Sequence, residues 1–166
     1  MSRRVVVVAC VVVLTLVMGA GSASAAGDWR WPVTGPVIEP FDAPASPYGT
    51  GHRGIDIATP LGTPVQAPAP AVVAFAGPVG GSLFVTLDHG GGLESTYSWL
   101  SGLGVRRGDV VAAGATIASS GPGHPGVTPA HLHFGVKRDG AYVDPLDYLL
   151  PGSVVGLIRL APLVDA

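Results

Sequence analysis

Thiol chemistry is almost missing from this chain. The one cysteine, Cys10, lies in an apolar run near the N-terminus, and residues 26–166 contain none. That excludes a disulfide framework, a cysteine metal ligand and a cysteine nucleophile, so a bound metal must rest on His, Asp or Glu. Lysine is nearly absent too, with Lys137 alone, and no basic stripe exists. Without the first 25 residues the chain carries 7 basic against 11 acidic side chains, a net of −4. Nucleic-acid affinity depends on neutralising phosphates, so a nucleic-acid partner is not expected. Uninterrupted helical periodicity is the third absence: between residues 49 and 149 no apolar pattern of period 3.6 escapes a Gly or Pro. The dominance of Ala, Val, Gly and Arg beside a single Lys is the composition of a GC-rich bacterial genome.

What is present begins with a leader pattern. Arg3 and Arg4 precede an apolar run from Val5 to Met18, and Ala23-Ser24-Ala25 forms a small-residue exit before Ala26. These are the three parts of a secretory signal peptide, residues 1–25. The run is shorter than the roughly 20 residues that span a bilayer, so no integral membrane segment is expected in the mature chain. Val8-Ala9-Cys10 comes too early, with almost no apolar core ahead of it, to serve as a lipidation box. About 140 residues remain, the size of one compact domain, and a monomer is assumed.

Residues 26–48 are rich in Pro and aromatic side chains (Trp29, Trp31, Pro32, Pro36, Pro40, Phe41). They predict an extended arm lying on the domain, pinned by Trp29 and Trp31, rather than a helix. From 49 to 149, short apolar stretches alternate with Gly and Pro, and strands are expected over 65–73, 83–87, 94–100, 110–118 and 132–136. Asp88-His89-Gly90-Gly91-Gly92 is expected to join two of them as a hairpin, with His89 a solvated turn residue. The fold class is therefore all-β. A tail, 150–166, follows, with an apolar stretch from Val154 to Leu160.

Candidate chemistry sits in two short motifs. His131 and His133 alternate with Leu132, Phe134 and Val136 in strand fashion. The two imidazoles then share one strand face, roughly 7 Å apart along the chain. His52 and Asp56 flank Gly54, where the chain can bend so that both side chains converge. Three of these four can form a facial N/N/O metal site, and the fourth can handle a proton beside it. Imidazole and carboxylate are good zinc ligands, and three protein ligands plus a water mark a catalytic site. Zinc brings the pKa of its water to about 7 and polarises a carbonyl.

His52-Arg53-Gly54-Ile55-Asp56 with His131-Leu132-His133-Phe134 resembles the lysostaphin-type (LytM-like) zinc metallopeptidases, endopeptidases of peptidoglycan peptides. Gly62-Thr63-Pro64-Val65-Gln66-Ala67, Val85-Thr86-Leu87-Asp88-His89-Gly90, Gly108-Asp109-Val110-Val111 and Asp144-Pro145 follow that family's order. The resemblance covers residues 49 to about 149. It implies His52, Asp56 and His133 as ligands of one Zn2+ per chain and His131 as catalytic base or acid. It also implies a small two-sheet antiparallel core, barrel-sandwich-like, whose groove holds an extended peptidoglycan peptide. One departure stands out. Where many members carry a second catalytic histidine in a Tyr-x-His-Leu segment, this chain has Tyr97-Ser98-Trp99-Leu100. Indole has no basic nitrogen and cannot exchange a proton near neutral pH. Trp99 and Tyr97, if on one side of a strand, would form an aromatic substrate-binding wall.

The expectation is thus a secreted zinc endopeptidase of the cell wall with reduced or altered activity. The rival is a non-catalytic wall-binding or hydrolase-activating module on the same fold, motivated by Trp99. A third reading comes from Gly108-Asp109-Val110-Val111-Ala112-Ala113-Gly114-Ala115-Thr116-Ile117, which has the rhythm of biotinyl and lipoyl carrier domains. Lys137 lacks the flanks of a modification site, so the rhythm speaks for β architecture rather than for a carrier. His124, in the flexible Gly121–Gly126 loop just before His131, is expected to be a loop residue rather than one that approaches the groove and partly replaces the missing histidine. Arg53 either orients substrate or caps a loop.

Overall fold

Gly and Pro interrupt the chain so often that its strands are short, and pairing between distant segments has to supply the order. The structure, a computed structural model, describes residues 29–46 and 49–150. The signal-peptide and tail expectations lie outside the described residues. Eleven strands and one helical turn follow in order: β1 (Val37–Glu39), β2 (Ile55–Ala58), β3 (Pro64–Gln66), β4 (Ala71–Val79), β5 (Ser82–Asp88), β6 (Leu93–Leu100), β7 (Gly102–Leu103), β8 (Val110–Val111), β9 (Thr116–Ser119), β10 (His131–Arg138), β11 (Ala141–Val143) and α1 (Leu146–Leu149). They form two antiparallel sheets that do not close into a barrel. The larger runs β1-β2-β10-β6-β5-β4-β8, with β11 also on β10, and the smaller is β3-β9-β7.

The strand expectations were coarse where proline intervened. The stretch 65–73 is divided between β3 and β4, because Pro68 and Pro70 remove two donors from any ladder there. The stretch 110–118 likewise splits into β8 and β9. The N-terminal arm is more than a strap: β1 hydrogen-bonds to β2 as the edge of the large sheet. Trp29 is buried, its backbone N–H donates to the Tyr148 carbonyl (3.1 Å), and its ring meets those of Tyr148 (5.0 Å) and His89 (4.5 Å). Trp29 therefore ties the arm to α1 and to the β5–β6 hairpin at once.

Residues 89–92 do make that hairpin connection, with Asp88 Oδ1 accepting from Gly90 N (2.8 Å) and positive φ at Gly90, Gly91 and Gly92. His89 is not the solvated turn residue expected of it. It lies under Trp29, with Nδ1 at 3.1 Å from the Pro70 carbonyl and Nε2 at 2.8 Å from Ser95 Oγ. Ser95 Oγ in turn lies 3.0 Å from the Tyr97 hydroxyl, making a polar chain through the interior. The core spans Ile55, Ile57, Val65, Val85, Leu87, Leu132, Phe134 and Val136, all without exposed surface. Among the described residues no helix is long and apolar enough to cross a membrane.

Burial lowers the His89 pKa from 6.5, with the Pro70 carbonyl and Asp88 opposing. A base whose folded pKa is depressed binds protons preferentially in the unfolded chain. Its contribution to stability is therefore full above 6.5 and shrinks as pH falls below it. Denaturant unfolding of wild type and His89→Asn across this range should show a smaller acid-side loss in the variant. Parallel curves would remove His89 from the acid sensitivity of the fold.

Candidate metal centre

The antiparallel register of β2 and β10 builds the site. It pairs His133 with Asp56 and His131 with Ala58, so the carboxylate stands across the strand gap from an imidazole. Ile55 and Ile57 bury on the other face of β2, as Leu132, Phe134 and Val136 do on β10, which fixes the polar face of each strand. His52 arrives just before β2. A two-way main-chain bridge to Asp42 (2.8 and 3.0 Å) locks its backbone, and its Nδ1–H donates to the Pro40 carbonyl at 2.7 Å. Gly54 makes the approach possible. A Cβ there would run into the Phe134 carbonyl and come within 3.0 Å of His133 Nε2. Arg53 donates from Nη2 to the Gly49 carbonyl (3.0 Å), holding the loop ahead of His52.

Three donor atoms converge. Asp56 Oδ1 lies 2.8 Å from His133 Nδ1 and 3.2 Å from His52 Nε2, and the two nitrogens are 3.1 Å apart. Because His52 commits its Nδ1–H to a carbonyl, Nε2 presents a lone pair to its neighbours. Lone pairs of a carboxylate and imidazoles gathered this closely repel unless a cation or proton lies among them. The edges of a tetrahedron around zinc, with bonds of 2.0–2.1 Å, are about 3.3 Å. The donor set and its spacing fit that ion.

Asp56 has no exposed surface. Burial alone would raise its pKa, but the His133 hydrogen bond and the charges of His133, His52 and His131 outweigh it and hold the carboxyl at about 2. It is thus a carboxylate throughout the neutral range, as ligation requires.

The second oxygen of Asp56 has its own company. Oδ2 lies 2.9 Å from His124 Nε2 and 3.6 Å from His131 Nε2. His131 is fully buried. Its Nδ1–H donates to the Pro129 carbonyl (3.0 Å), and its Nε2 accepts the His124 backbone N–H (3.2 Å). His124 therefore belongs to the cluster: ligand atoms of His52, Asp56, His124 and His133 all lie within 4.8 Å of one another. In sequence, only its place in a Gly/Pro loop seven residues before His131 pointed there.

The expected aromatic wall does not form. Tyr97 is fully buried, facing Phe134 and Ser95 rather than a groove, and burial pushes its hydroxyl pKa upward. Trp99 does border the site, its ring 5.1 Å from His124 and 5.5 Å from His133. A β-bulge separates the two. Ser98 and Trp99 of β6 stand opposite Phe84 alone, and Trp99 has φ 54°. One extra residue inverts the alternation, so Tyr97 and Trp99 cannot share a face.

Residues 50–145 match the model of peptidase family M23. The chain belongs to peptidase family M23. M23 is a family of metallopeptidases, and the chain is similar to three proteins in particular. The uncharacterized protein Rv2891 of Mycobacterium tuberculosis is 39% identical over 170 residues, covering 97% of this chain and 66% of the relative. This chain thus spans just under two thirds of that relative's length. A zinc-containing peptidase from Vibrio cholerae aligns with a TM-score of 0.62 at 26% identity, over 76% of this chain and 41% of that one. The catalytic domain of lysostaphin, an antimicrobial peptidase of Staphylococcus simulans, aligns at 0.56 and 30% identity over 69% and 90%. The M23 architecture is therefore the two-sheet core described above.

The fit at Gly54 gives a direct test. Gly54→Ala should cost about 1–3 kcal/mol of stability, the usual range for overpacking, and weaken metal binding by pushing β10 and His133 away. Denaturant unfolding and metal titration check both, and unchanged values would show that the strand gap has slack.

Proposed function

We propose that this M23 protein is a secreted zinc-dependent endopeptidase of peptidoglycan stem or cross-bridge peptides. His52, Asp56 and His133 hold one Zn2+, and His131 moves the proton. The observation that carries the reading is the convergence of three lone-pair donors at 2.8–3.2 Å around a fully buried carboxylate. Bound zinc supplies a Lewis acid and, near neutral pH, hydroxide. The leader-like Arg3–Ala25 sequence supports export, and the family supports the wall peptide as substrate.

The protein's own groups do the rest. Pro129 fixes the His131 tautomer, leaving Nε2 as the acceptor that takes a proton and returns it to the leaving amine. Two shallow hollows lie near the cluster, one including His52 and His124 and one beside Trp99. One is lined by Glu39, Pro40, Asp42, Gly51, His52 and His124, the other by Gly81, Ser82, Leu83, Trp99, Leu100 and Pro122. An extended peptide crossing the centre would run from the acidic hollow to the apolar one, with Trp99 as the surface it rests on.

A second reading, a non-catalytic wall-binding or hydrolase-activating module, is favoured by Trp99, which stands where the resemblance to the lysostaphin-type family leads one to expect a second catalytic histidine. Loss of one such group typically costs a factor of ~10² to 10⁴.

Peptidoglycan digestion with mass analysis of products separates the two. EDTA-stripped, zinc-restored protein should release new amines, His131→Ala should not, and Trp99→His should be faster than wild type, within that same factor. One zinc per chain with no turnover in either wild type or Trp99→His would establish the non-catalytic reading instead.

A further inference from the structure

We infer that His124 is a fourth protein ligand of the metal, carried on the Gly121–Gly126 loop, so that in its resting form the centre is closed. This rests on the metal site proposed above and adds a residue outside both sequence motifs.

Four observations converge. First, His124 Nε2 completes an N/N/N/O set with His52, His133 and Asp56, all within 4.8 Å, and it is the nitrogen that approaches Asp56, at 2.9 Å. Second, the other His124 nitrogen, Nδ1, faces the Pro125 carbonyl at 3.4 Å, as Nδ1 of His52 faces that of Pro40. A carbonyl on one imidazole nitrogen orients the other as a lone-pair donor, the usual support of a metal-bound histidine. Third, His131 is unavailable for that role, because its Nε2 is occupied by the His124 backbone N–H.

Fourth, the loop is seated on the site at two points. A Cβ at Gly123 (φ 87°) would collide with the His131 ring, and one at Gly121 would collide with the Trp99 carbonyl. Trp99 then walls the His124 imidazole from the side, rings 5.1 Å apart. The indole thus occupies space that lets a loop histidine, not a strand histidine, reach the ion.

The consequence is mechanical. Four protein ligands make a closed coordination sphere, whereas catalytic zinc sites keep one position open. One residue closes this site twice: the His124 side chain fills the fourth position, and its backbone N–H occupies the proton acceptor of His131. Lifting the loop would free both together, so substrate has to displace it.

The test is zinc K-edge X-ray absorption on the zinc-loaded protein, which counts imidazoles around the ion, with zinc-to-protein stoichiometry measured on the same samples. Wild type should show three imidazoles and His124→Ala two, each with one zinc. Loss of a partner one shell further out already weakens metal binding ~10–100-fold, so His124→Ala should weaken zinc binding at least about tenfold by competition titration. Two imidazoles in wild type would overturn the inference and leave the three-ligand centre standing. Three in both proteins would overturn it as well, because His131 would then be the third. A wild type that binds no zinc would overturn both. The wild-type count decides alone if the variant does not fold.

Discussion

A carboxylate with no exposed surface has to be paired, and much of this protein is arranged around the one at Asp56. An unpaired ion at that depth is untenable. Here both oxygens are occupied, Oδ1 by His52 and His133 and Oδ2 by His124, with His131 beyond. Each partner comes from a different part of the chain, so the site exists only when the large sheet has formed. The register of β2 on β10 supplies His133, the arm through Pro40 and Asp42 supplies His52, and the loop ahead of β10 supplies His124 and orients His131. The donor atoms of His52, Asp56 and His133 lie 2.8–3.2 Å apart, a spacing that fits a cation, and the proposed metal centre rests on that fit.

The fold and the heart of the site were legible in the sequence because they rest on local periodicity. Alternation in His131–Val136 gave a strand with two imidazoles on one face, and the buried Leu132, Phe134 and Val136 of β10 show why the pattern is strict. What was not legible depends on breaks in that periodicity or on contacts far apart in the chain. The Trp99 bulge is the clearest case: one additional residue in β6 turns Tyr97 into the core, and nothing in Thr96-Tyr97-Ser98-Trp99 announces a positive φ. His89 looked like a turn residue because the arm that covers it, through Trp29, is 60 residues away in sequence. His124 sits in a loop without periodicity, where only the three-dimensional seating of Gly121 and Gly123 decides which way the imidazole points.

Trp99 acquires a physical role from this arrangement. Read in sequence, it is a lost histidine. In the structure it contacts Phe84, His133 and His124 together, and so borders the histidine cluster. In the centre inferred above, a loop imidazole and an indole wall stand where the resemblance leads one to expect a strand imidazole. One imidazole of the cluster, His124, is thus carried on a segment with glycine at both ends, Gly121 and Gly126.

Asp56 is the charged anchor of the proposed metal centre. Competition titration of zinc into wild type and Asp56→Asn, which keeps the shape and removes the charge, tests it most directly. One tight zinc per chain in wild type is the predicted result, with affinity lower by a factor on the order of 10² or more in the variant, beyond the loss expected from an outer-shell partner. Equal affinity in the two proteins, or no zinc bound by wild type, would contradict it.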